Sequence, residues 1–142
     1  MDISKIDVVG ASNNGVTVDI INPSTNEALG LSIVVVGAMS TNYKDDMAML
    51  YAELEDYTEQ NKVADDASRK DKAKANIKIN KYDEELTAKF LAKYTKSWYG
   101  MVENGKEIPF SEKEAERIYL EYPIIRGQVQ KAMLDISNFF KA

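Results

Sequence analysis

Neither histidine nor cysteine occurs anywhere in this chain of 142 residues. Without cysteine there is no disulfide, no thiolate nucleophile and no sulfur-ligated zinc or iron. Without histidine the commonest general base and the commonest transition-metal ligand are missing. Catalysis would fall to grouped carboxylates, lysines, tyrosines and hydroxyls, and no such grouping stands out. P-loop, GxGxxG, GxSxG and EF-hand patterns are also absent. Adjacent carboxylates occur at Asp45-Asp46, Asp65-Asp66 and Glu84-Glu85, but neighbours along a helix do not face one another. They read as partners of a helix dipole or as solvated surface, not as metal ligands. The expectation is a protein that is not an enzyme and takes no cofactor or metal. Long apolar runs are missing too: none, Ile33 to Val36 included, comes near a bilayer span. The first ten residues lack the basic start and apolar stretch of a secretion signal. A cytoplasmic protein is expected.

What is present fits a folded chain. An apolar fraction of 44% with 29% charged residues is too apolar for wholesale disorder and ordinary for a globular domain. The net charge of -5 argues against a general attraction to phosphate, though a local patch remains open.

The front reads as strand. Val16, Val18 and Ile20 alternate with Thr17 and Asp19, the period-two pattern of a half-buried strand. Asn22-Pro23-Ser24-Thr25-Asn26 marks a turn, and Leu31 to Val36 follows as a second, more buried strand. Ile3 to Val9 is expected to add a third, because a two-stranded ribbon is marginal in water. Ser40 and Thr41 then offer helix caps, with Asp45 and Asp46 in the first turns. Behind them Tyr43, Met47, Leu50, Leu54 and Tyr57 form one apolar seam at helical spacing, running to about Lys62. Such a seam serves a core and a homo-oligomer interface alike. Residues 62–81 are poor in large apolar side chains and read as exposed helix or linker. Within them Lys70, Lys72 and Lys74 are candidates for weak phosphate contact, the alternative being a solvated helix face. From Tyr82 the helical period returns through Leu86, Phe90, Leu91, Tyr94 and Trp98, stopping at Gly100. The two long helices are expected to pack antiparallel.

The last forty residues carry the clearest local signals. Asn104-Gly105 is a preferred central pair for a two-residue hairpin turn, flanked by 101–103 and 106–108. Ser111-Glu112-Lys113-Glu114 is a capping box, with Phe110 placed to staple against Ala115. Pro123 ends one helix and suits the first turn of the next. That last helix presents Ile125, Val129, Met133 or Ala132, Ile136 and Phe140 at core spacing, with Phe139 beside the stripe as either core or contact. The fold class expected is α+β: an N-terminal hairpin or small antiparallel sheet over residues 1–40, then a helical region over 41–142. The latter carries a short C-terminal hairpin and two final helices.

An ordered set of these segments resembles the small tail assembly chaperones, and related morphogenesis proteins, of tailed bacteriophages. It runs W-Y-G at 98–100, E-N-G at 103–105, I-P-F-S at 108–111, E-Y-P-I-I-R at 121–126 and N-F-F at 138–140. The stretch from Asp19 to Gly37 adds a similar short β-segment. The resemblance spans residues 15–50 and 94–140 and leaves the middle unmatched. It implies a non-enzymatic assembly factor that binds the tape measure protein and recruits tail tube subunits in the host cytoplasm. Some similar chains are instead virion components such as head decoration, cement or connector proteins, with capsid or connector subunits as partners. Candidate partner contacts are Trp98, Phe139, Met49 and Tyr51, large side chains able to make adaptable apolar contacts. At helical spacing Met47, Met133 and Tyr43 read as core, and Trp98 serves either to anchor the hairpin or to meet a partner.

Overall fold

A computed structural model describes residues 1–140. The expected hairpin is present. Strand β1 (Val16–Ile21) pairs antiparallel with β2 (Ala28–Val35), from Val16 opposite Val35 to Ile21 opposite Ala28, with a bulge after Asp19. Ile20, Ile33 and Val35 are buried on the core face.

The third strand is not at Ile3 to Val9. Ile3–Ile6 forms a 3-10 turn and Val8–Asn14 a short helix, α1. Two aspartates explain this: Asp2 accepts from the Ser4 amide at 3.0 Å and Asp7 from the Gly10 amide at 2.9 Å. Such bonds start helical turns and compete with extended backbone. The sheet is completed from the other half of the chain by β3 (Thr95–Tyr99), antiparallel to β2 with Ile33 opposite Trp98. The strand order is β1-β2-β3. Trp98 therefore belongs to a strand, not to a helix ending at Gly100.

Helices α2 (Tyr43–Gln60) and α3 (Arg69–Lys93) flank the linker that joins them. Residues 62–81 thus divide between a connection and the first half of α3. Thr41 does not cap α2; its amide and hydroxyl engage the Asn13 side chain, at 3.0 Å each. Ser68 caps α3 through the Asp71 amide at 3.1 Å. Only the last third of α3 enters the core, through Leu86, Ala88, Phe90, Leu91 and Ala92. After β3 comes the hairpin β4 (Val102–Glu103) and β5 (Lys106–Glu107), turned by Asn104 and Gly105 at φ 51° and 79°. Gly100, at φ 79°, passes so near the Gly30 carbonyl that a Cβ would strike it.

Helices α4 (Glu112–Glu121) and α5 (Pro123–Leu134) close the structure. Ser111 caps α4 at the Glu114 amide, but the Glu114 carboxylate turns to Arg117 at 2.8 Å and does not reach back. Phe110 packs edge-on against Trp98, 5.1 Å between ring centres. Tryptophan gives it a far larger partner than Ala115 would. On α5, Gln128 binds both backbone atoms of Ile21, amide at 2.9 Å and carbonyl at 2.8 Å, so a side-chain amide occupies the β1 edge. The core stripe ends at Met133. Ile136 and Phe140 are half exposed, and a second 3-10 turn (Ile136–Phe139) buries Phe139 instead.

One buried hydrogen-bond relay joins three elements. The Thr95 hydroxyl donates to the Leu91 carbonyl at 2.8 Å. Having spent its only proton there, it accepts from the Tyr119 hydroxyl at 2.7 Å. Tyr119 is fully buried, and burial pushes its phenol up to about 12. Thr95→Val strands that phenol without a partner, whereas Tyr119→Phe leaves the Thr95–Leu91 bond intact. Urea unfolding should give losses of about 2 kcal/mol and about 1 kcal/mol respectively. Equal losses would contradict the relay.

Candidate functional site

The seam read from the sequence meets the end of α3. Tyr43 stands edge-on to Phe90 and Tyr94, 5.4 and 5.5 Å between ring centres, and Phe90 stacks on Tyr94 at 4.8 Å. At the other end Tyr57 stacks on Tyr82 at 3.9 Å. The start of α2 thus lies beside the end of α3, and the two helices run antiparallel. Polar bonds fix the pairing: the Tyr82 hydroxyl donates to Glu53 at 3.0 Å, and that of Tyr94 to Asp46 at 2.6 Å. Lys93 joins the same Asp46 oxygen at 3.2 Å. The hydroxyl of Tyr94, and then Lys93, hold the Asp46 carboxyl below its ordinary range.

No seam residue is fully buried; all five are half-covered. The incomplete closure leaves a groove of about 260 Å³ between α2, α3 and α5. Met47, Leu50 and Leu54 form one wall, Phe90 and Leu91 the floor, and Met133 the far side. Tyr51 stands at the rim, 61% exposed, with Asp83 and Thr87 across from it. Methionines at two walls make the surface adaptable, because the thioether chain repacks at low cost. The chemistry on offer is apolar contact with a few hydrogen bonds at the edge.

A second cleft lies beside the β4–β5 hairpin, where Leu29, Val102 and Tyr122 stand partly exposed. Its rim is braced by Arg117, which binds Glu103, Glu114 and Glu121 at 3.1, 2.8 and 3.0 Å. The Tyr122 hydroxyl also donates to Glu103. Arg117, and then Tyr122, hold the Glu103 carboxyl below its usual range. Among the described residues no group of three or more carboxylates stands close enough to hold a metal ion.

The four candidate contact residues lie in different places. Tyr51 reaches the groove. Met49, 71% exposed, points off α2 outside it. Trp98 is half-buried, its indole donating to the Ile108 carbonyl at 2.7 Å, so it anchors the hairpin. Phe139 is 1% exposed and a core residue; its ring lies 2.6 Å from where a Cβ of Gly37 would sit. Gly37 leaves the space that draws the ring inward, so Phe139 is no partner contact. Lys70, Lys72 and Lys74 are exposed on the first turns of α3, and Lys72 donates to the Asp65 carbonyl at 2.7 Å. Sequence reasoning missed that Met133 would face Phe90 and Leu91. Each lies on its own apolar stripe, but nothing local says which stripes meet.

Compared with known protein families, with curated proteins and with solved structures, the chain matches none. Among the described residues no helix is long and apolar enough to cross a membrane.

The electrostatics of the helix pair yield a pH expectation. A carboxyl held below its unfolded value adds stability above that value, about 4, and loses it as pH falls through the folded value. Both Asp46 and Glu103 have this sign. Unfolding free energy should therefore decline below about pH 4. Asp46→Asn should be less stable at neutral pH and decline more shallowly. An unchanged slope in that variant, measured by denaturant titration at stepped pH, would remove Asp46 from the account.

Proposed function

We propose that this chain is a non-enzymatic assembly factor that holds an apolar helical segment of another protein. On the sequence resemblance, its class is that of the tail assembly chaperones of tailed bacteriophages. The observation that carries the reading is the open groove walled by Met47, Leu54 and Met133. A trough lined by three helices suits the helix-in-groove mode, in which a client lays in apolar residues spaced three and four apart. The volume admits a few side chains of such a helix and no large cofactor. Under the resemblance the client is the tape measure protein, with tail tube subunits recruited next, in the host cytoplasm.

A second reading, a structural virion component, is favoured by a different observation. Tyr99 is 80% exposed on β3, a strand at the sheet edge, and Val102 is 60% exposed close by. An open edge with apolar neighbours suits permanent contact with an adjacent subunit.

Co-expression with a tape measure protein should keep that client soluble. Tyr51→Asp and Leu54→Asp should return it to the pellet, with affinity lowered about tenfold or more for each buried anchor lost. Val102→Asp, at the other cleft, should leave the client soluble. Stoichiometric amounts of the chain in purified virions, read by mass spectrometry, would replace the chaperone reading with the virion one.

A further inference from the structure

Helices α2 and α3 each carry a fully exposed stripe on the side away from the groove. On α2 it runs Asp45, Met49, Ala52, Asp56, at steps of four, three and four. On α3 it runs Lys70, Lys74, Ile77, Lys81, with the same steps. This is the spacing of the contact positions of paired helices. The charges are opposite. Over its length α2 has six carboxylates against Lys44 alone, while residues 69–81 have six cations against Asp71 alone. Among the described residues, ion pairs join only Lys93 to Asp46 and Arg117 to its glutamates. Neither stripe has its charges answered within the molecule. Each also holds one large apolar side chain in the open, Met49 at 71% and Ile77 at 67% exposure.

We infer that the α2 stripe of one copy of this chain packs against the α3 stripe of a second copy. With the helices antiparallel, the shared step pattern sets one register. Asp56 meets Lys70, Ala52 meets Lys74, Met49 meets Ile77, and Asp45 meets Lys81. Apolar contact falls in the middle and an ion pair near each end. A duplex nucleic acid is the other partner that a row of lysines suits, but it has no use for Ile77. The remainder of this acidic chain would also repel it.

The two stripes are different surfaces. Each lies opposite the aromatic contact between α2 and α3, so they face outward from opposite edges of the helix pair. A contact between unlike surfaces joins copies head to tail and leaves a free stripe at each end. The groove takes no part in it, so the inference stands apart from the client-binding reading.

Sedimentation equilibrium over a wide range of protein concentration tests it. At about 0.1 M salt, where distant repulsion is screened but contact pairs persist, the average mass should rise above 15.9 kDa. At about 1 M salt it should fall back towards the monomer. Asp45→Lys with Asp56→Lys should be monomeric, and so should Lys70→Glu with Lys81→Glu. These positions are exposed, and circular dichroism checks that each variant stays folded. Mixed, the two variants present complementary stripes again, and association should return. A wild-type chain monomeric throughout would overturn the inference. So would association that survives both reversals, a mixture that stays monomeric, or retention of duplex DNA by the α3 lysines in a monomeric chain.

Discussion

The architecture turns on the two residues where α3 becomes β3. Tyr94 and Thr95 bond to four elements, α3, β2, α2 and α4, within one short stretch. The Tyr94 amide closes the last turn of α3 on Phe90 and Leu91, at 3.2 and 3.1 Å. Its carbonyl accepts from Val36 at the end of β2, at 2.8 Å. Its hydroxyl takes Asp46 on α2, and Thr95 takes Tyr119 on α4. A helix-to-strand junction has orphan carbonyls that must find donors. Here the Thr95 hydroxyl and the Val36 amide provide them, and in doing so fix the helix against the sheet.

That junction explains why the two halves of α3 behave differently. The last third is held by α4 and α5 and tied to the sheet through the junction with β3, and is buried. The first half has no sheet to lie on, and only Ala75, Ile79 and Tyr82 of residues 69–82 find partial cover. Helix α2 follows the same division: its start is pinned by Tyr43 against Phe90 and Tyr94 and by Asp46 bound to Tyr94, while its far end leans on Tyr82 alone, through the Tyr57 stack and the Glu53 bond. Both the groove and the exposed stripes follow from one fact. The core is too small to cover helices of this length, so apolar and charged faces remain uncovered.

The elements set by local chemistry were legible in the chain. The β1–β2 alternation, the Asn104-Gly105 turn, the Ser111 cap, Pro123 at a helix start and the α2 seam each depend on residues within a few positions. Most of what local pattern did not reveal depended on distant partners. Trp98 fits a helical face with Tyr94 and Leu91, yet β2 had a free edge that only residues 95–99 fill. Ile3 to Val9 is the local exception: the need for a third strand suggests it, but two neighbouring aspartates turn it helical. Phe139 went inward because Gly37, a hundred residues earlier, makes room. Thr41 left α2 uncapped in order to pair with Asn13.

The candidate surfaces were legible in a weaker sense. The seam on α2 announces an apolar face, but not that its cover would be partial, because the number of helices needed to bury it is a property of the whole fold. A complete cover from α3 and α5 would have turned Met47, Leu54 and Met133 into ordinary core and left no groove. Tyr51 and Met49 are two residues apart, so on a helix they cannot share a face. Grouped in the sequence as one set of contacts, they belong to two surfaces once α3 is in place. The direction in which α3 lies from α2 decides which is which, and that direction is fixed by Tyr94 binding Asp46 across the helix pair.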